Sequence, residues 1–509
     1  MIKSFGNKGF KDNTARMLLV LLPLFLVILV SLVEKAPLFS IFPIGSNDEI
    51  GYWREMYSFD RLGFDFGKNG WVGYDTASIG PFGCHGLLQV AAWGWYALLF
   101  DWGHHSIYIA NFIMLTAAFL AFVFLAKPDH KECLLIFLFS LCYRPLSIYM
   151  DSSLMEIPCF AAVLFYSAAF IFYCRKTDSK ARFALCIAAG LYCSILRICY
   201  IVILFPAIMV NNKHRIDLKL ILKMSLYVLA FLLIYIVYNK TTAQYPQWFL
   251  TELSNDSSLS VKLMKVLGYF KEGLIAYFAQ IWDRMIWFVS SYASFERIKY
   301  LLTVSFPELF FPIRILDQLL KIILLLPDRK DGKWVFNKTK FWMFVMLLTF
   351  DAGIIALYDV SGWVDTRVIS SLLYGIIIWL ILLYSDRLKK RSFYAVCFVL
   401  LLVSLITIRI MPAKGNGHYA FKDYETVFEP LKEHEDKPSL AVDLELIDGP
   451  DALSIVTALP ENFGILLYSD KTKLYESRPE FVYSVSELEL NDYNGIHKDP
   501  EKGYLYIRK

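Results

Sequence analysis

"MLLVLLPLFLVILVSLV", Met17 to Val33, is an apolar run of membrane-spanning length, and the polar stretch "GSNDEIGYW", Gly45 to Trp53, follows it. Lys3, Lys8, Lys11 and Arg16 precede the run, which places the N-terminus in the cytoplasm. No small-residue cleavage site follows, since "EKAPLFSIFP" is bulky, so the run reads as a retained span and not as a signal peptide. Two adjacent carboxylates, Asp48 and Glu49, therefore stand just outside the first span.

The rest of the chain repeats the pattern. Its 509 residues are 57% hydrophobic and 17% aromatic, with a mean hydropathy of +0.47, which excludes an ordinary soluble protein. Net charge is only +4, but residues 413–509 hold 11 basic and 19 acidic side chains, −8, so the remainder carries +12. No Arg-rich tract points to nucleic acid. Most of the 9 cysteines lie within apolar segments, at Cys133, Cys142, Cys159, Cys174, Cys186, Cys193, Cys199 and Cys397, with neither a disulfide framework nor metal spacing.

Basic clusters fall on alternate loops and set one orientation. Expected spans are 17–33, 106–126, 133–150, 158–174, a hairpin of two short passes over 183–210 with Arg197 near its outer tip, 218–238, 309–326, 341–358, 368–384 and 393–411. "KPDHKE", "RKTDSKAR", "NNKHRIDLK", "PDRKDGKWVFNKTK" and "SDRLKKR" are then cytoplasmic. "NDEIGYW", "DSSLMEIP", "DVSGWVDTR" and the acidic tail are external. Residues 273–293, with Asp283 and Arg284 at their centre, read as an interfacial helix. The expected fold is an all-α polytopic membrane protein with about eleven transmembrane helices over residues 1–412. Residues 34–105 are its first external loop, and 413–509 form a small extracytoplasmic α/β domain. In that tail "SLAVDLELI", "SIVTALP" and "FGILLYS" read as strands between turn signals.

This topology brings four polar groups to one membrane surface: Asp48 with Glu49, Asp151 with Glu156, Arg197, and Asp365 with Arg367. A carboxylate there can take a proton from an acceptor hydroxyl, and the two arginines can hold a phosphate or diphosphate through paired N–H donors. Plainer readings compete. Asp48–Glu49 can be a solvated loop, and Asp151 can cap the following helix with Glu156 in its first turn. Arg367 can anchor a span end, and Arg197 can snorkel.

The layout resembles the GT-C class of integral-membrane glycosyltransferases, which use polyprenyl-phosphate-linked sugars. In that class the first external loop opens with an acidic motif, often Asp-Glu with an aromatic three residues on; "DEIGY", Asp48 to Tyr52, has that form. "IGPFGCHGLLQVAAWGWYALLFDWG" is similar to the Gly-Pro element and interfacial helices that follow, which is why 87–100 is not read as a span. Glu156 in "SLMEIP" matches the second-loop acid, and Arg197 matches the basic residue of a hairpin tip. Arg367 in "DTRVISSLLYG" matches a late arginine commonly followed by Tyr, although Val368 stands at that position.

The resemblance implies a glycosyltransferase moving a hexosyl or pentosyl group from a polyprenyl-phosphate donor to a glycan, lipid or protein acceptor outside a bacterial plasma membrane. Asp48 would be the base, with Glu49 beside it. Tyr52, Glu156, Arg197, Asp365 and Arg367 would bind substrate. Mg2+ or Mn2+ would sit, if anywhere, on Asp48, Glu49 and Glu156. A lipid-linked-glycan flippase or transporter would also have many spans and intramembrane charges, but neither internal repeats nor broken midplane helices are evident. A surface-polysaccharide polymerase or ligase is the nearest enzymatic alternative.

Overall fold

A computed structural model describes residues 2–40, 47–63, 69–73, 76–80, 88–241, 310–330, 333–357, 364–385, 388–410, 423–434, 439–443, 452–459, 464–468 and 478–509, with scattered positions from 258 to 286 and Leu474. The expected interfacial helix over 273–293 lies largely outside them. The first apolar run is bent. Helices α1 (Ile2–Val20) and α2 (Leu22–Glu34) meet at 45°. Pro23 in the first turn of α2 lacks the N–H that would continue the ladder of α1.

After the bent pair, α3 (Asn47–Leu62) is followed by a hairpin, β1 (Asn69–Gly73) with β2 (Thr76–Gly80), and by α4 (Leu88–Leu99). At 12 residues α4 is too short to cross a bilayer. Helices α5 (Ser106–Ala126), α6 (His130–Cys142), α7 (Arg144–Ile148), α8 (Glu156–Cys174), α9 (Lys180–Leu196), α10 (Leu204–Asn211) and α11 (Leu218–Thr241) follow. Then come α12 (Phe310–Leu325), a hairpin of β3 (Asp328–Lys330) and β4 (Lys333–Val335), α13 (Lys338–Leu357), α14 (Val364–Tyr384) and α15 (Lys390–Ile410). Among the described residues three helical stretches are long and apolar enough to span, Ser106–Ala126, Glu156–Cys174 and Arg367–Tyr384, and the bent first pair makes a fourth. Helices also run through all or part of the other expected spans. The pass expected over 133–150 stops early. It breaks at Tyr143, two residues before Pro145, whose ring has no N–H to bond back to the preceding turn and which sits in the first turn of α7.

Helix α8 is central, packed by α5, α9 and α14. A Cβ at Gly375 of α14 would stand 2.5 Å from Val163 Cγ1 and 2.9 Å from Ser167 Oγ, so the missing side chain lets α14 lie directly on α8. A Cβ at Gly190 of α9 would collide with Leu204, which closes the hairpin of α9 and α10. Loops gather at two ends of the bundle. At the basic end Arg16 donates to the Pro128 carbonyl (2.8 Å), Asp12 meets His130 (3.0 Å), Ser385 donates to Glu132 (3.0 Å) and Lys340 pairs with Asp328 (3.2 Å).

Between α12 and α13 lies a buried network of two cations and two anions. Arg314 faces Asp317 at 3.8 Å and Asp351 at 3.6 Å, and Lys321 binds both Asp317, at 2.8 Å, and Asp351. Positions 314, 317 and 321 share one helical face, while Leu319, Ile322 and Ile323 are exposed on the other, as a lipid-facing stripe requires. Asp351→Ala leaves buried positive charge uncompensated. It is expected to cost about 3–5 kcal/mol, read as a lowered melting temperature in detergent.

The tail forms a five-stranded mixed sheet in the order β6-β5-β7-β9-β8. Strand β5 (Ser439–Asp443) runs parallel to β6 (Gly464–Tyr468) and β7 (Phe481–Ser484), whereas β8 (Tyr493–Asp499) and β9 (Gly503–Arg508) form an antiparallel edge. Parallel neighbours need a crossover, and α16 (Ala452–Ala458) supplies it. "SIVTALP" is therefore mostly helix, not the strand its β-branched residues suggest. Strand β1 of the first loop lies alongside β6.

Candidate functional site

Helix α3 is buried on more than one face. Tyr52, Trp53, Met56 and Phe59 enter the core, and Arg54, Glu55 and Ser58 are buried as well. Trp53 stacks on Tyr57 (5.2 Å) and His104 (6.2 Å), and Arg54 Nη1 donates to the Leu459 carbonyl of the tail (3.0 Å). The helix is thus clamped between the bundle and the tail. Burial and the like charge of His105 hold the His104 imidazole below its ordinary range. Glu49, in the first turn, is only 6% exposed, so its carboxylate is not the solvated loop group of the plainer reading. The backbone of Asp48 lies in the same turn and that of Asp365 in the first turn of α14; both side chains lie outside the described residues.

The loop before α8 closes over Glu49. Ser152 donates its hydroxyl to the Glu49 carboxylate, and Ser153 donates to the Glu49 main-chain carbonyl (2.6 Å). Asn111, fully buried in α5, donates to the carbonyls of Met150 (3.2 Å) and Ser152 (2.9 Å) and accepts from Trp93 Nε1 (3.0 Å). Helix α8 begins at Glu156 with Met155 at its N-cap and no side-chain cap, so Asp151, also buried, does not cap it.

Glu156 joins the two arginines. Its Oε1 lies 2.5 Å from Arg197 Nη2 and 3.0 Å from Arg367 Nε. Arg197 sits at the break between α9 and the 3-10 turn Ile198–Ile203, in extended backbone that turns the hairpin. Arg367 occupies the first turn of α14, and two phenols fix that turn. Tyr143 donates to the Ser370 carbonyl (2.7 Å), and Tyr200 donates to the Val368 carbonyl (2.6 Å) and bonds Ser371. Arg367 and Arg197 are thus held in a polar cluster, beyond what anchoring or snorkelling requires.

The structure therefore joins Arg197 and Arg367 at Glu156 and holds Glu49 against Ser152 and Ser153, in the loop that leads into α8 at Glu156, with Tyr52 buried three residues beyond Glu49. Among the described residues no three His, Cys, Asp or Glu side chains come together to hold a metal ion. Two guanidiniums already engage Glu156, which makes it a poor ligand for a divalent cation.

Sequence reasoning overlooked Ser152, Ser153, Asn111, Tyr143 and Tyr200. A signal existed for one of them: Asn111 is a lone amide in a 21-residue apolar helix, and an amide there needs a partner.

No family model matches the chain, and no curated protein matches it. Among solved structures it is similar to ArnT from Cupriavidus metallidurans bound to undecaprenyl phosphate, at 12% identity and a TM-score of 0.36, over 95% of this chain and 97% of that one. It is similar to the apo state of the same protein at 11% identity and a TM-score of 0.34, with the same coverage.

Proposed function

We propose that this polytopic protein is a membrane glycosyltransferase. It moves a sugar from a polyprenyl-phosphate donor to an acceptor on the outer face of the membrane by direct, inverting displacement. The observation that carries this reading is the convergence of Arg197 and Arg367 on one carboxylate oxygen, that of Glu156, next to the loop whose Ser152 and Ser153 hold Glu49. A guanidinium has five N–H donors, more than one carboxylate oxygen takes, so the pair can also hold a phosphate.

The acceptor oxygen attacks the anomeric carbon and the bond from that carbon to the phosphate oxygen breaks. The electron pair leaves with the phosphate, and Asp48 takes the acceptor proton. The leaving group changes from a singly charged diester to a monoester of higher charge, so Arg197 and Arg367 bind it more strongly as the bond breaks. Glu156 orients both guanidiniums, and Glu49, Tyr52 and Asp365 position the acceptor. These steps rest on protein groups alone.

Arg367→Ala is expected to weaken use of a polyprenyl-phosphate sugar by about 2–5 kcal/mol, and Arg367→Lys by less, since Lys keeps the charge and loses the planar fork. The check is transfer rate against donor concentration in membranes. Wild-type behaviour of Arg367→Ala would leave Arg367 an interfacial anchor.

The reading includes eleven passes with the tail outside. Reporters fused after Tyr238 and within 413–509 are expected to be external, and those in "RKTDSKAR" and "SDRLKKR" cytoplasmic, because basic loops alternate. A cytoplasmic tail would place the gathered polar groups on the wrong side for an exported donor.

A further inference from the structure

We propose that Asn111 and Ser152 are positioning residues that hold the first turn of α3, and with it the acid pair, in working register; this rests on the transferase reading above. Helix α3 belongs to a loop, not to a span, yet a group that takes a proton must be placed to about half an ångström. The hydroxyl of Ser152 has a defined direction. It accepts from the Leu154 N–H at 3.0 Å, so its own proton is aimed at the Glu49 carboxylate. Ser153 secures the main chain of the same residue.

Asn111 then ties this loop to the bundle. Its orientation is unambiguous: the Trp93 indole can only donate, and the Met150 and Ser152 carbonyls can only accept. Trp93 belongs to α4, and α4 packs back on α3, where a Cβ at Gly94 would stand 3.3 Å from Phe59 Cε1. The contacts form a closed circuit from α3 through the Met150–Ser153 loop, α5 and α4, and back to α3. A rigid span near its outer end thereby sets where a loop helix holds its acids. The arginines are held separately, by Glu156, Tyr143 and Tyr200.

The separation yields a test. Asn111→Asp keeps the acceptor for Trp93 but turns an acceptor toward two carbonyls, and Ser152→Ala removes one hydroxyl. Both are expected to lower kcat about tenfold to a hundredfold, as misplacement by about an ångström does, with donor KM unchanged. Asn111→Asp, which buries a carboxylate against two carbonyls, is also expected to lower the detergent melting temperature, and Ser152→Ala to change it little. Ser152→Thr restores the hydroxyl and is expected to recover kcat. A purely structural role would lower the melting temperature and leave kcat of the folded Ser152→Ala protein unchanged. Unchanged kcat in both variants would overturn the proposal while leaving the transferase intact; wild type that transfers no sugar would fail the transferase reading itself. Hydrogen exchange over residues 47–53 tests the coupling without any donor. Faster exchange in Asn111→Asp supports it, and unchanged exchange overturns it.

Discussion

Asp48→Asn is expected to reduce sugar transfer by about 10²–10⁴-fold while the protein remains inserted and folded. Asn is nearly the same size as Asp but cannot take a proton, so the change separates base function from packing. The position suits the role. The turn that holds Asp48 is fixed at the next residue by Ser152 and Ser153, and its helix is pinned to the tail through Arg54. Glu49→Gln is expected to be milder, because a carboxylate engaged by the Ser152 hydroxyl orients more readily than it accepts a proton. Transfer from a radiolabelled polyprenyl-phosphate sugar, with detergent-extracted protein checked for monodispersity, measures both. Full activity in Asp48→Asn would remove Asp48 from the chemistry.

The second large effect is expected at Glu156. Its carboxylate is 1% exposed and is shared by two guanidiniums, so Glu156→Ala leaves Arg197 and Arg367 facing each other without it. Breaking a buried ion pair by removing one partner costs about 3–5 kcal/mol, because desolvated charge is left uncompensated. The melting temperature in detergent should fall accordingly, and donor use should fall with it. Glu156→Gln keeps the shape and one acceptor oxygen but loses the charge, and should lie between. An unchanged melting temperature in Glu156→Ala would mean that the arginines do not depend on this carboxylate.

Much of the bundle was legible because the bilayer imposes its rules on sequence. The run Ser106–Ala126 was read with its true ends, since an apolar stretch bounded by "HH" and "KP" leaves little choice. The turn at Arg197 was legible because one charge interrupts an apolar stretch too long for one pass and too short for two ordinary ones. What was not legible depends on contacts distant in sequence. Nothing near Glu49 announces Ser152, about a hundred residues on, and nothing in "DSSLMEIP" shows that Glu156 would serve two arginines rather than face water. The tail helix was mistaken for a strand because "SIVTALP" has strand-like composition. Only the parallel pairing of its neighbours demands a crossover there.

The central claim is that this chain makes a glycosidic bond at the outer face of the membrane. The direct measurement is to reconstitute the purified protein in liposomes holding a labelled polyprenyl-phosphate sugar, supply candidate acceptors outside, and follow both the label's chemical form and its leaflet. The account predicts a new glycosidic bond of inverted anomeric configuration with wild type and none with Asp48→Asn. Movement of labelled lipid between leaflets, with no new glycosidic bond, would contradict it and identify a flippase.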